Sequence, residues 1–223
     1  MSSGREDGSV RVAPAREPRA GGRVTRLLAL AAAAWVALMA AVELFGLGLS
    51  SDQLGSSPDN LVAGEVWRLL TSSLLVDGEL PLLQLALVAA VTAAVILRHG
   101  PRIWWAAALL GHVGSALLAY AAIGIAIALG DGAADAIADD WDYGVSCVLA
   151  AQFGVLFAGA LRRLRRARRD GRRRDPLDLL FVAAACVGLA AWIATIDWYG
   201  IEHPLAFAIG ATVLVVAERR RER

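Results

Sequence analysis

The chain has 223 residues, 57% of them hydrophobic, and a mean hydropathy of +0.55. That is too apolar for a chain of this length to fold around one water-exposed core, which predicts an all-α membrane protein and excludes a large soluble catalytic domain. The 22 basic and 21 acidic residues nearly cancel, yet every basic residue is Arg and the arginines come in blocks. With no basic face carrying interleaved aromatics, nucleic acid is excluded as a partner. Cys147 and Cys186 lie in apolar runs and have neither the spacing nor the companions of a disulfide framework or a zinc site, so no metal is expected.

Residues 1–26 are rich in Gly, Ser, Pro and Arg without hydrophobic periodicity and read as a disordered cytoplasmic tail. Read against the ~18–20 residues that cross a bilayer as helix, apolar runs follow at 27–49, 80–97, 103–129, 143–161, 177–196 and 203–217, the last of them short and expected to begin a residue or two earlier. They predict a six-helix transmembrane domain over 27–217, followed by a basic cytoplasmic tail at 218–223. The first run could compete as a signal peptide. Its length and the lack of a small-x-small cleavage site before Glu43 and Phe45 favour an uncleaved anchor. Every arginine but Arg68 falls in the two tails, the 98–102 turn or the Arg162–Arg174 run, whereas Asp131, Asp135, Asp139, Asp140, Asp142, Asp197 and Glu202 occupy the opposite loops. The positive-inside rule then places both termini in the cytoplasm of a multi-pass protein of the cell membrane. The Arg162–Arg174 run reads as that topology signal together with attraction to anionic lipid of the bilayer. Asp140 or Asp142 is the expected N-cap of the fourth span, and Trp104, Trp105 and Trp198 suit interfacial belts.

Polar side chains inside spans must be satisfied or face a cavity. Here they are Glu43, Gln84, Thr92, His112, Ser115, Ser146, Gln152 and, at the mouth of the sixth span, His203. The fourth and sixth spans enter from the same side, so Ser146 and His203 share a shallow depth. A serine hydroxyl is a weak nucleophile until a neighbouring base takes its proton, and a helix N-terminus offers backbone N–H groups to an oxyanion. Two plainer readings stand beside this pair. Ser146, Ala150, Gly154 and Ala158 recur every four residues as a helix-packing stripe, and a His beside Pro204 at a helix start can be a satisfied interfacial residue.

The chain resembles the rhomboid intramembrane serine proteases over residues 27–217. The first outer loop reads Gly64-Glu65-Val66-Trp67-Arg68-Leu69-Leu70-Thr71-Ser72, similar to the family's Trp-Arg segment. Gly144-Val145-Ser146-Cys147 lies where the family has Gly-x-Ser-Gly, and Gly154 follows the serine at the family's spacing. His203, Ala206 and Gly210 fall where the sixth helix of the family carries His, Gly and Gly. The resemblance implies a six-helix rhomboid-like bundle that cuts transmembrane protein substrates near the outer leaflet without a cofactor. Ser146 would be nucleophile and His203 base, Gly154, Ala206 and Gly210 would pack, and Trp67 with Arg68 would order the outer loop, Arg68 donating to loop carbonyls.

The chain departs from the family at several of these positions. Cys147 replaces the second Gly of the motif, Ala150 stands where many active members place a Tyr under the histidine, and no His or Asn occurs on the second span to complete the oxyanion hole. Gln84 is the amide available there, beside the backbone N–H of Ser146, and His112 on the third span is either a compensating donor or a residue bonded to a neighbouring helix. Losing an oxyanion donor costs about 10²–10³ in rate, so a slow enzyme is expected. The alternative is a catalytically silent rhomboid-like pseudoprotease that binds or escorts transmembrane helices as clients. A transporter fits less well, because the spans lack paired mid-depth charges and a repeated broken helix.

Overall fold

The computed structural model describes residues 20–45, 49–76, 80–194 and 199–223. Asp197 and Trp198, and the expected tail before Ala20, lie outside them. The described residues are helical, with one 3-10 turn at Ser72–Leu74 and an isolated bridge between Ser56 and Asp142. The helices are α1 (Ala20–Phe45), α2 (Ser51–Leu54), α3 (Pro58–Val62), α4 (Arg68–Thr71), α5 (Pro81–His99), α6 (Pro101–Ala128), α7 (Gly132–Asp135), α8 (Val145–Arg169), α9 (Pro176–Ala194) and α10 (Glu202–Arg221). Five of them, α1, α5, α6, α8 and α9, are long and apolar enough to cross a membrane, the architecture of a multi-pass helical membrane protein. The 203–217 run lies within α10, which also carries Glu202, Glu218 and Arg219–Arg221.

Most helices start or end where the chain chemistry requires it. Gly100 takes φ +89°, a left-handed conformation that only Gly adopts cheaply, and Pro101 at the first position of α6 has no N–H to leave unpaired. α1 begins at Ala20, so residues 20–26 extend the first helix instead of forming part of a loose tail. α8 also outlasts its apolar run, continuing to Arg169 through arginines that lie beyond the expected span. Arg is a good helix former, and these side chains find partners: Arg162 pairs with Glu218 of α10 and with Glu222 just past its end, and Arg163 with Asp178 of α9.

α8 is the most enclosed of the spans and α9 the least. α8 packs on α10 through backbone approaches that exclude side chains. A Cβ on Gly154 would run into the Phe207 carbonyl, and one on Gly210 into the Ala151 carbonyl, with Ala206 fully buried between them. Close approach of this kind drives association where lipid is as apolar as the helices. In the expected packing stripe, Ala150, Gly154 and Ala158 are buried, but Ser146 at its N-terminal end is only half-buried. Trp104 departs from its belt assignment: it is fully buried against Trp35 at 5.4 Å, and its indole N–H donates to Thr92 Oγ1 at 3.1 Å. A polar partner on α5 lets the ring sit inside the bundle.

The first loop folds into α2, α3, α4 and the 3-10 turn. Ser57 caps α3 by accepting from Asn60 N at 3.2 Å. Arg68 Nη1 donates to the carbonyls of Asp52 (2.6 Å) and Gly55 (3.1 Å), its Nε meets Glu65, and its guanidinium lies over the Trp141 ring at 5.5 Å. Trp67 is 53% exposed at the rim. The first loop is thereby tied to the segment that leads into α8.

Candidate functional site

α8 starts at Gly144, whose N–H donates to Ser72 O at 3.1 Å, and no side chain caps it. The expectation that Asp140 or Asp142 caps this helix is therefore corrected. Asp142 instead turns inward, where its Oδ2 accepts the Tyr120 hydroxyl at 3.0 Å and its backbone pairs with Ser56 in both directions. Gly is required at 144 because the His112 ring fills the volume a Cβ would take. His112, also buried, exchanges a hydrogen bond with Ser72 Oγ through Nε2 at 3.2 Å. Gly144 and His112 thus form a layer beneath the start of α8, and neither lines the cavity above it.

That cavity has a volume of about 610 Å³ and is walled by the N-terminal parts of α5, α8 and α10 with the C-terminal part of α9. Ser146 and His203 both line it, together with Gln84, Cys147, Trp192 and Glu202. Ser146 is in the first turn of α8, where backbone N–H groups have no intrahelical acceptor, and its hydroxyl donates to Tyr143 O at 3.3 Å. His203 is in the first turn of α10, stacked on Trp192 with ring centroids 5.2 Å apart and planes inclined by 11°. Cys147 is enclosed, and its thiol donates to Glu202 Oε2 at 3.3 Å.

Behind this wall runs a buried polar chain. Tyr120 OH meets both Asp142 Oδ2 and, at 2.7 Å, Ser56 Oγ; Ser56 Oγ donates to Ser72 Oγ at 3.4 Å, which reaches His112. Asp142 also contacts the Glu202 carboxyl. Burial pushes the Asp142 carboxyl above the usual carboxylate range. Burial likewise raises the Tyr199 phenol, which donates to the carbonyls of Ile137 (2.8 Å) and Asp140 (3.0 Å) and so fixes the approach to α10.

The remaining polar residues of the spans serve packing. Gln152 Nε2 donates to Trp104 O at 3.0 Å, Ser115 Oγ to His112 O at 3.1 Å, and Thr92 receives the Trp104 indole. Glu43 is half-buried near the end of α1. Among the described residues no group of His, Cys, Asp and Glu side chains is arranged to hold a metal ion.

Sequence reading did not single out Glu202, Trp192 or Tyr120. Glu202 directly precedes His203 but reads as one more acid in an acidic loop. Tyr120 is a hydroxyl-bearing aromatic inside a long apolar run, a signal present in the sequence and passed over. Comparison with protein-family models, with curated proteins and with solved structures finds no match to this chain.

Proposed function

We propose that the chain is an intramembrane serine protease of rhomboid type, a six-span protein of the cell membrane with both termini cytoplasmic, acting on transmembrane proteins near the outer leaflet. The observation that carries this reading is the meeting of two first turns: Ser146 of α8 and His203 of α10 line one cavity at the acidic end of the bundle. α10 serves as the sixth span in this reading, its apolar stretch 203–217 bounded by Glu202 and by Glu218–Arg221.

In the reaction, His203 takes the proton of Ser146 Oγ as the oxygen attacks the scissile carbonyl. The oxyanion is held by backbone N–H groups of the first turn of α8, with Gln84 across the cavity as the side-chain donor. His203 then gives its proton to the leaving amine, and water, activated by the same imidazole, hydrolyses the acyl-serine. Two departures from the family gain a physical account. The Cys147 thiol is engaged by Glu202, and Trp192 gives His203 an aromatic face where Ala150 cannot.

The reading is tested with a fluorophosphonate probe on the full chain in detergent. Wild type is expected to label slowly, Ser146→Ala and His203→Ala not at all, and Gln84→Ala to lose about 10²–10³ in turnover with little change in substrate binding. Labelling of Ser146→Ala equal to wild type would place the reactivity elsewhere. One observation favours the second reading, a silent escort of transmembrane helices: the Ser146 hydroxyl donates to a carbonyl of its own turn. That reading is adopted if folded wild type neither labels nor cuts a panel of transmembrane substrates yet still binds them.

A further inference from the structure

The structure brings a second pair of side chains to the same two helix starts. Glu202 is 0% exposed, and its Oε2 accepts the Cys147 thiol, the residue that follows Ser146. Its other oxygen, Oε1, is sealed from solvent and meets no hydrogen-bond partner among the described residues. The carboxyl group faces Asp142, itself buried and already accepting from Tyr120. No salt bridge to either acid forms among the described residues. Two carboxylates in contact inside a low-dielectric site cannot both carry charge. Two acceptors in contact become a hydrogen bond when one of them holds a proton.

We propose that Glu202 is the positioning residue of this site, a neutral carboxylic acid that donates to Asp142 while accepting the Cys147 thiol, and so locks the start of α10, with His203, onto the start of α8, with Ser146. Glu202 adjoins His203 and Cys147 adjoins Ser146, with Asp142 four residues before that serine. Displacing the acid therefore moves both members, and the Cys147 side chain becomes the anchor of the lock. The titratable groups around Glu202 are Cys147 on α8, Asp142 before it, Tyr120 on α6, Tyr199 in the segment leading to α10, and His203 beside it. Cys147, Tyr120 and Tyr199 are neutral near pH 7 and supply no cation. The inference rests on the hydrolytic reading only for what the lock serves; the lock itself stands on Glu202, Asp142 and Cys147.

The test uses the full chain in detergent and two readouts, the thermal midpoint and fluorophosphonate labelling, across pH. A proton held in the fold but lost on unfolding makes stability fall as pH rises from the ordinary carboxyl range until the pair ionises. Wild type is expected to lose about 5 °C of midpoint between about pH 6 and pH 9. Glu202→Gln, whose amide donates without titrating, flattens that fall, whereas Glu202→Ala melts lower at every pH. The ratio of alkaline to neutral labelling is severalfold higher in Glu202→Gln than in wild type. A flat wild-type profile, or a Glu202→Gln profile with the wild-type slope, overturns the proposal, and the first of these needs no variant to fold. If the midpoints behave as expected and no protein labels, the lock stands and the protease reading fails.

Discussion

Asp178 and Glu202 are buried to nearly the same degree at opposite ends of the bundle, 2% and 0% exposed, and the chain neutralises them by different means. At the arginine-rich end, Asp178 of α9 receives a bidentate guanidinium from Arg163 of α8, with Nε at 2.9 Å and Nη2 at 2.7 Å, and a further bond from Arg98 of α5 at 3.0 Å. At the acidic end, Glu202 and Asp142 have no cation among the described residues and are reconciled by a shared proton. The contrast separates two tasks. A forked ion pair fastens α9, the least enclosed span, to its neighbours wherever the pH lies above the carboxyl range. A carboxyl pair that shares a proton joins α8 to α10 beside the cavity and brings one negative charge there instead of two.

The largest expected effect comes from breaking the ionic side of this comparison. Asp178→Asn leaves two guanidinium groups without their carboxylate, and removing one partner of a buried pair costs 3–5 kcal/mol. Arg98 and Arg163 keep side-chain exposures of 24% and 39%, so solvent recovers part of that and about 3 kcal/mol is expected. Chemical denaturation of the purified protein in micelles measures it. A loss below ~1 kcal/mol would mean that α9 is held by its apolar contacts alone.

Tyr120→Phe acts on the other end and is smaller. It removes the donor to Asp142 Oδ2 and the partner of Ser56 Oγ while keeping the ring that meets Tyr199 edge-on at 6.4 Å. Stranding buried acceptors costs about 1–2 kcal/mol, read by the same denaturation. An unchanged midpoint would show that the polar chain from Asp142 to His112 does not depend on its central hydroxyl.

The ionic end was poorly legible in the sequence. Asp178 sits in the first turn of an apolar run, and nothing local says that arginines from two other helices converge on it. Arg163 falls in a run that reads as a topology signal, so its structural use is hidden by a sufficient simpler explanation. The spans were legible because bilayer crossing imposes a length and a hydropathy that a run of twenty residues displays by itself. Gly154 and Gly210 were legible as small residues at close contacts, although what they approach, the carbonyls of Phe207 and Ala151, appears only in the packed pair. Ser146 and His203 could be paired because both begin helices that enter from one side. Glu202 and Tyr120 could not, since Cys147 and Ser56, which they meet, lie 55 and 64 residues away, and Trp192, although near His203 in sequence, reads as one more apolar residue of its span.

The same Asp-to-Asn change at the acidic end is the sharpest test of the contrast, since it should behave in the opposite sense. Asp142→Asn keeps an oxygen to accept the Tyr120 hydroxyl and gains an N–H₂ that can donate to Glu202, so no buried group is stranded. Near neutral pH the cost is within about 1 kcal/mol, against the larger loss at Asp178. The pH dependence then decides. Burial holds the Asp142 carboxyl above its ordinary range, so the folded protein keeps a proton that the unfolded chain releases. Its contribution is full below the ordinary carboxyl range and is lost as pH rises through the folded value. Asparagine at 142 removes the second carboxyl that keeps the proton on Glu202, so less of the stability depends on that proton and the difference between variant and wild type moves in favour of Asp142→Asn as the solution becomes alkaline. Midpoints measured across that window, with Asp178→Asn as the reference, should cross or converge for the first variant and stay apart for the second. Parallel curves for Asp142→Asn and wild type would show that Asp142 titrates as an ordinary surface acid, and the acidic end would then be held by packing between Gly154 and Gly210 and not by a shared proton.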